Sequence, residues 1–311
     1  MAPRTPSACP SGRVDSGSRA ESLAARIDQV LTLPVVVQQV IDLTHDPSSN
    51  ARMLAEAIGA DPVLAAKILR TANSSFFGFL SKTADIGSAV VRLGVRQVRN
   101  VAMALNVGKI FSGPPGKEGY SRAELWRHSI AVGTMNEAMI AVCSAQGVRQ
   151  VSGEALLAGL VHDIGIILED QYLPHKFPEV PPLAFVLKES LPVIEAKELG
   201  FNHAELGGLV LRKWKFAEGI VRAVALHHGG EGLEEHLLAC MTAMSELLVA
   251  RIGVGYCDCQ PERISQEQFG ALQRRLGLMG PAIAALRTSF GDRIREALEL
   301  FALEPVGSLS A

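Results

Sequence analysis

Apolar residues recur at the helical period along nearly the whole chain, and Pro or Gly signals close each such segment. No run alternates apolar and β-branched residues at the two-residue period that a sheet requires. This pattern restricts the 311-residue chain to an all-α fold. Helices are expected over 21–31 and, starting at Pro34, over 34–45; proline is harmless at a first helical position because its missing N–H would have no partner there. Asp46-Pro47-Ser48-Ser49 reads as a turn before a helix over 51–58. Asp61-Pro62 supplies an N-cap and a first-turn proline for a helix to Asn73, and two more follow over 86–93 and 95–111. Residues 112–119 contain three glycines and two prolines and mark the boundary between a front lobe and a second half. There, Ser121 caps a long helix through His128, and Ser152 is read as the cap of a helix carrying His162-Asp163. Further helices are expected over 183–189, 192–199, 204–214, 218–228, 234–252, 266–276 and 281–301.

Composition decides what fills this frame. Apolar residues are 48% and aromatic ones only 5%, so the core must be built from Leu, Val, Ile and Ala. A net charge of -2 lacks the basic surplus by which proteins neutralise nucleic-acid phosphates. The first twenty residues, rich in Pro, Ser, Gly and Arg, read as a disordered tail without a secretory apolar run. No apolar stretch approaches the ~18 residues a membrane helix needs, so a soluble, cytoplasmic protein without membrane partners is expected. The five cysteines form no zinc-type pair of C-x-x-C motifs, and Cys257 and Cys259 are read as reduced thiols.

The residues that carry chemistry are imidazoles and carboxylates. His162 and Asp163, read as neighbours on one apolar helix, would point about 100° apart, and a group in the wedge between them, such as a divalent metal, would be held by both. Burying a carboxylate beside Val161 and Ile164 is costly without a partner. Glu124 and His128 lie four residues apart on the preceding helix, His203 opens a later one, and His227-His228 ends another. This mix of carboxylate and imidazole suits divalent cations, with Fe, Mn or Mg the candidates.

The order His128, His162-Asp163, His203, His227-His228 resembles the HD superfamily of metal-dependent phosphohydrolases. Leu33-Pro34, Asp61-Pro62, the string Asn73-Ser74-Ser75-Phe76-Phe77-Gly78, Leu93-Gly94, Leu125-Trp126-Arg127-His128 and Leu226-His227-His228 are similar to HDOD domains, the HD-related output domains of bacterial signalling proteins. The resemblance implies a two-lobed helical bundle with an HD-like core. The tail is placed at 1–20, the HDOD domain at 21–252 (front lobe 21–111, HD-like lobe 120–252), and C-terminal helices at 253–311 packing on the HD-like lobe. It also implies metal ligands among Glu124, His128, His162, Asp163, His203, His227 and His228. Ile166 stands where catalytic relatives carry a lysine, Gly229-Gly230-Glu231-Gly232 replaces their Gly-Tyr-Pro loop, and no aspartate follows on the helix over 234–252. Met244 aligns there, with Glu246 nearby as a substitute.

The expectation is therefore a non-enzymatic signal-transduction output or adaptor domain with a remnant metal site, engaging a protein partner or a nucleotide. A metal-dependent phosphohydrolase acting on cyclic dinucleotides or nucleotides is the first alternative and a DNA-binding regulator the second. The stretch 54–64 has the small residue and glycine of a helix-turn-helix, but Val63, Leu64 and Ala65 open its second helix where base-reading side chains should stand, so it is read as a packing hairpin and nucleic acid is not expected as a partner. Arg92, Arg96, Arg99 and Lys109 are read as a solvated face.

Overall fold

The computed structural model describes residues 16–30, 35–46, 48–74, 77, 79, 81–111, 120–257 and 266–301. The expected boundary loop 112–119, residues 75, 76 and 78 of the Asn-Ser-Ser-Phe-Phe-Gly string, and Cys9 and Cys259 lie outside them. Among the described residues the chain is helical throughout, and a single bridge between Tyr120 and Cys257 stands in place of any strand.

The first helix, α1 (Ser16–Val30), starts within the segment expected to be a disordered tail, and Ala20 is fully buried. It packs on the helices His203–Lys213 and Ile164–Tyr172 of the second half rather than on its sequence neighbours. The front helices are α2 (Val35–His45), α3 (Ala51–Gly59), α4 (Pro62–Ala72), α5 (Ile86–Leu93) and α6 (Val95–Ile110). Asn50 caps α3 by accepting from the N–H groups of Arg52 and Met53, and Asp61 caps α4 by accepting from Val63 and Leu64. Asn73 ties the end of α4 to Thr83 with two side-chain hydrogen bonds of 2.7 and 2.8 Å, which holds the irregular crossing to α5 in place.

The second half comprises α7 (Arg122–Ile140), the short α8 (Val148–Val151), α9 (Ala155–Val161), α10 (Ile164–Tyr172), α11 (Val180–Leu187), α12 (Leu191–Glu198), α13 (His203–Lys213), α14 (Glu218–Leu226) and α15 (Leu237–Arg251). Both α7 and α15 are buried on nearly every face, as expected of helices apolar all round. They are the central rods of this half. Gly159 makes the α7–α9 crossing possible, since a Cβ there would lie 2.4 Å from backbone atoms of Gly133. The last helices, α16 (Gln266–Leu276) and α17 (Gly280–Phe301), pack on α15 and α7 respectively, and the Trp126 indole donates to the Phe301 carbonyl at 2.9 Å.

The two halves share one apolar core, carried across by the α6–α9 contact. One basic residue of α6, Arg96, bonds across this seam. Arg96 donates to the Gln150 carbonyl at 3.3 Å and Arg99 bonds the Asn100 side chain, while Arg92 bonds the Ser81 carbonyl within the front half. These three bond the chain while Arg96 and Lys109 stay exposed, in keeping with the solvated face that the sequence suggested. Cys257 is disulfide-bonded, which corrects its reading as a reduced thiol; Cys143 and Cys240 are free and buried.

Glu137 sits where α7 meets α17, and its buried Oε2 has no hydrogen-bond partner. Burial, offset only in part by Arg293, pushes its carboxyl from 4.5 up to about 7. The native state thus holds this proton over a pH range in which the unfolded chain has released it. The associated stability is complete below pH 4.5 and is lost as pH rises through about 7. Glu137→Gln is expected to unfold at higher denaturant than the parent at pH 8.5, by about 2 kcal/mol, with no advantage at pH 4.5. Equal gains at both pH values in urea titrations would sink this account.

Candidate metal centre

The His162-Asp163 doublet does not lie inside one helix. The α9 helix ends at Val161 and α10 begins at Ile164, so His162 closes the first and Asp163 opens the second with φ -97° and ψ 17°. Ser152 is not the cap of this region; its hydroxyl donates to the Arg149 carbonyl and the position before α9 is Glu154. The break lets both side chains face the same interior point, which two successive residues of a continuous helix cannot do. Gly165 makes the next element fit. A Cβ there would lie 2.0 Å from the His203 carbonyl oxygen, so only glycine lets the start of α10 touch the start of α13.

At that interior point two groups of ligand atoms converge, His128, His162 and Glu246 in one, and Asp163, His203, His227 and His228 in the other. In the first, Glu246 Oε2 lies 2.8 Å from His128 Nε2 and 3.1 Å from His162 Nε2. In the second, Asp163 Oδ1 lies 3.3 Å from His203 Nε2 and 3.4 Å from His227 Nε2, and His203 Nε2 lies 2.7 Å from His228 Nε2. The other Asp163 oxygen, Oδ2, faces the first group, 3.1 Å from His162 Nε2 and 3.7 Å from His128 Nε2. The carboxylate therefore stands between the groups with one oxygen turned to each.

Six of the seven expected ligands are thus brought together. Glu124 is not. It lies in the first turn of α7, its side chain is 45% exposed, and it pairs with Arg127 at 3.4 Å. Residues four apart on a helix differ by about 40° in direction, and at this end of α7 that difference turns the side chain outward. Glu246, expected only as a substitute, occupies the place.

The orientation of the imidazoles follows from their outer nitrogens. Nδ1 of His128, His162 and His227 faces the carbonyl oxygens of Val254, Gly159 and Val224 at 2.9, 2.7 and 2.7 Å. Each of these Nδ1–H groups donates outward, which leaves Nε2 to face the cluster, the arrangement metal-ligating histidines use. His203 differs: its Nδ1 faces Glu195 Oε2 at 2.6 Å, and its backbone N–H donates to the same oxygen at 2.9 Å. Neither Glu195 nor its neighbour Glu169 was singled out in the sequence. The signal was present in α12, where Glu195 falls on the apolar face with Leu191, Ile194 and Leu199, a place where a carboxylate requires a partner. Tyr256 was also missed; its ring meets His128 edge-on with centroids 5.0 Å apart.

Asp163 Oδ1, Asp163 Oδ2 and His227 Nε2 are buried and lack a hydrogen-bond partner. Such atoms are costly unless something occupies the space they face. Without an ion, only protons can balance the carboxylates. Burial opposes protonation of His162, but Asp163 and Glu246 outweigh it and raise the imidazole to about 10. His128 and His203 are raised for the same reason, by Glu246 and by Glu195 respectively against burial. Burial, with the charges of His228 and His162, holds His227 down at about 3, and burial, with the charge of His203, holds His228 at about 4, so these two remain neutral and ready to donate lone pairs. The donor set, imidazole nitrogens in both groups with a shared carboxylate, fits divalent transition ions.

A cleft of about 680 Å³ opens beside His227 and His228 under the turn Gly229-Gly230-Glu231-Gly232. Its charged lining is Glu234, Glu235 and Glu267 against Arg274. Ile166 is fully buried in the core and brings no polar group to the site.

Fold and site together define an all-helical protein of HD type, with a histidine–carboxylate cluster able to hold metal at the meeting of four helices and the break between α9 and α10. The chain belongs to the HDOD domain family, whose model matches residues 30–229. An uncharacterized protein of Treponema pallidum (strain Nichols) is 22% identical over 209 residues, 67% of this chain and 39% of that protein. The chain thus spans well under half the length of the curated relative it matches. Among solved structures, an HDOD domain protein of Geobacter sulfurreducens superposes with a TM-score of 0.73 at 22% identity, over 93% of this chain and 100% of that one. A Shewanella amazonensis protein named as a phosphohydrolase gives a TM-score of 0.67 at 23% identity, over 90% and 98%. At these identities the likeness speaks to the fold.

Among the described residues no helix is long and apolar enough to cross a membrane.

Proposed function

We propose that this chain is a signal-transduction output domain that binds two divalent ions of the iron or manganese type and engages a protein partner without hydrolysing a phosphoester. The observation that carries the metal reading is Asp163, whose two buried, unpartnered oxygens each face a different group of imidazoles. His128, His162, Glu246 and Asp163 would hold one ion, and Asp163, His203, His227 and His228 the other. Imidazole-rich sites favour iron or manganese over magnesium, which prefers oxygen ligands and retained water. When bound, such ions supply Lewis-acid polarisation and activated water.

The non-hydrolytic part rests on the surroundings. Ile166 replaces the lysine that would meet a phosphate oxygen, and the cleft beside the cluster carries three carboxylates against one guanidinium. That balance disfavours nucleotides and favours a partner with basic side chains. A phosphohydrolase is the second reading, favoured by Glu246, which completes the group of ligands that the sequence left short of an acid.

Metal analysis of the purified protein, followed by assays with bis(p-nitrophenyl) phosphate, cyclic dinucleotides and ATP, separates these readings. Close to two equivalents of iron or manganese and no turnover are expected. Metal-dependent turnover that disappears in His162→Ala would establish the hydrolase instead, and a protein that takes up no metal under any loading condition would overturn both.

A further inference from the structure

We propose that Glu195 is the positioning residue for His203, and that the buried Glu169 carboxyl holds Glu195 in place, so that this pair governs the ion site of Asp163, His203, His227 and His228. The inference rests on the reading of the cluster as a two-ion centre.

The contacts around His203 set it apart from its neighbours. His128, His162 and His227 rest their outer nitrogens on neutral backbone carbonyls. His203 rests on a carboxylate, and Glu195 Oε2 meets both its Nδ1 and its backbone N–H. Two contacts to one oxygen fix the start of α13 and the ring together, so Nε2 has one direction left, toward Asp163 and His228. A carboxylate behind a ligating imidazole also raises the basicity of the nitrogen that meets the ion.

Glu195 itself needs support. It is fully buried, and its second oxygen, Oε1, has no donor. Glu169 of α10, also fully buried and with neither oxygen partnered, interacts with it side chain to side chain. Two acceptor-only carboxylates cannot stand together in the core; one proton between them removes both problems, since a Glu169 O–H can donate to Glu195 Oε1. Burial and the neighbouring Glu195 charge both act in this direction and push the Glu169 carboxyl well above its usual range.

Four variants test the assignment by metal titration and by the proton spectrum of the metal-free protein. Wild type is expected to take up two ions and to show a low-field His203 Nδ1–H resonance. Glu195→Gln should weaken one of the two ion sites by about 10- to 100-fold and shift that resonance, while the other site keeps its affinity. Glu195→Ala should lose the resonance and one ion. Glu169→Gln, whose amide N–H₂ replaces the acid O–H as donor, should behave as wild type, whereas Glu169→Leu should lose the ion of the His203 site. A pair that serves packing alone would make Glu169→Gln and Glu169→Leu alike in ion binding. That result, or unchanged affinities in Glu195→Gln, overturns the proposal. If wild type binds no ion, the two-ion reading fails, and the resonance in Glu195→Gln still decides whether Glu195 orients His203.

Discussion

Asp163→Ala is expected to abolish uptake of both ions at once, although it removes one side chain from a cluster of seven. The other six ligands divide into two sets of three that do not share an atom, and Asp163 supplies an oxygen to each. Removing it also brings two partly charged centres together without the anion between them. The measurable consequence is a loss of linkage. An ion at a thousand times its dissociation constant stabilises the native state by about 4 kcal/mol, so wild type should melt well above its metal-free form and Asp163→Ala should melt at the same temperature with and without metal. In chelator the two proteins should lie close together. Burial opposes the charge on Asp163 and the imidazoliums around it restore it; once the carboxylate is gone, His162 can release its proton and no charge is left alone. A metal-dependent melting shift retained in Asp163→Ala would remove the bridging role.

The second large effect concerns a residue with no chemistry of its own. Gly165→Ala places a methyl group 2.0 Å from the His203 carbonyl oxygen and 2.6 Å from its carbonyl carbon. Neither helix start can yield locally, because the atoms met are backbone. The helices must separate, at a cost of about 3 kcal/mol or more, and the separation draws His203 away from Asp163. The variant should therefore lose stability in urea and lose the ion held by His203, His227 and His228, while retaining the one held by His128, His162 and Glu246. Gly291→Ala in α17 is the control, since nothing lies within 4 Å of the added carbon; it should gain about 0.5–1 kcal/mol. A Gly165→Ala protein as stable as its parent would show that the α10–α13 contact is not as close as described.

The candidate site was readable in part, and the pattern of success has a physical cause. His128, His162, Asp163, His203, His227 and His228 stand out because an imidazole or carboxylate on an apolar helix is a local anomaly. Glu124 misled because its spacing from His128 placed it on the right side of the helix, and only the packing at the end of α7 shows that this turn faces solvent. Glu246, Glu195 and Glu169 carry no spacing to the histidines they serve. Glu246 lies 118 and 84 residues from His128 and His162, Glu195 lies 8 from His203, and which of them meet depends on how α10, α12, α13 and α15 are packed.

The helical class, many of the helix boundaries and the imidazole ladder are written in the order of residues, because periodicity, caps and breakers act over a few residues. Long-range packing chose that α1 leaves its neighbours for α13, that the helix breaks at His162 and Asp163, and that Glu246 rather than Glu124 faces the cluster. Each of these is a choice between locally equal alternatives, settled by burial and close packing among segments far apart in the chain.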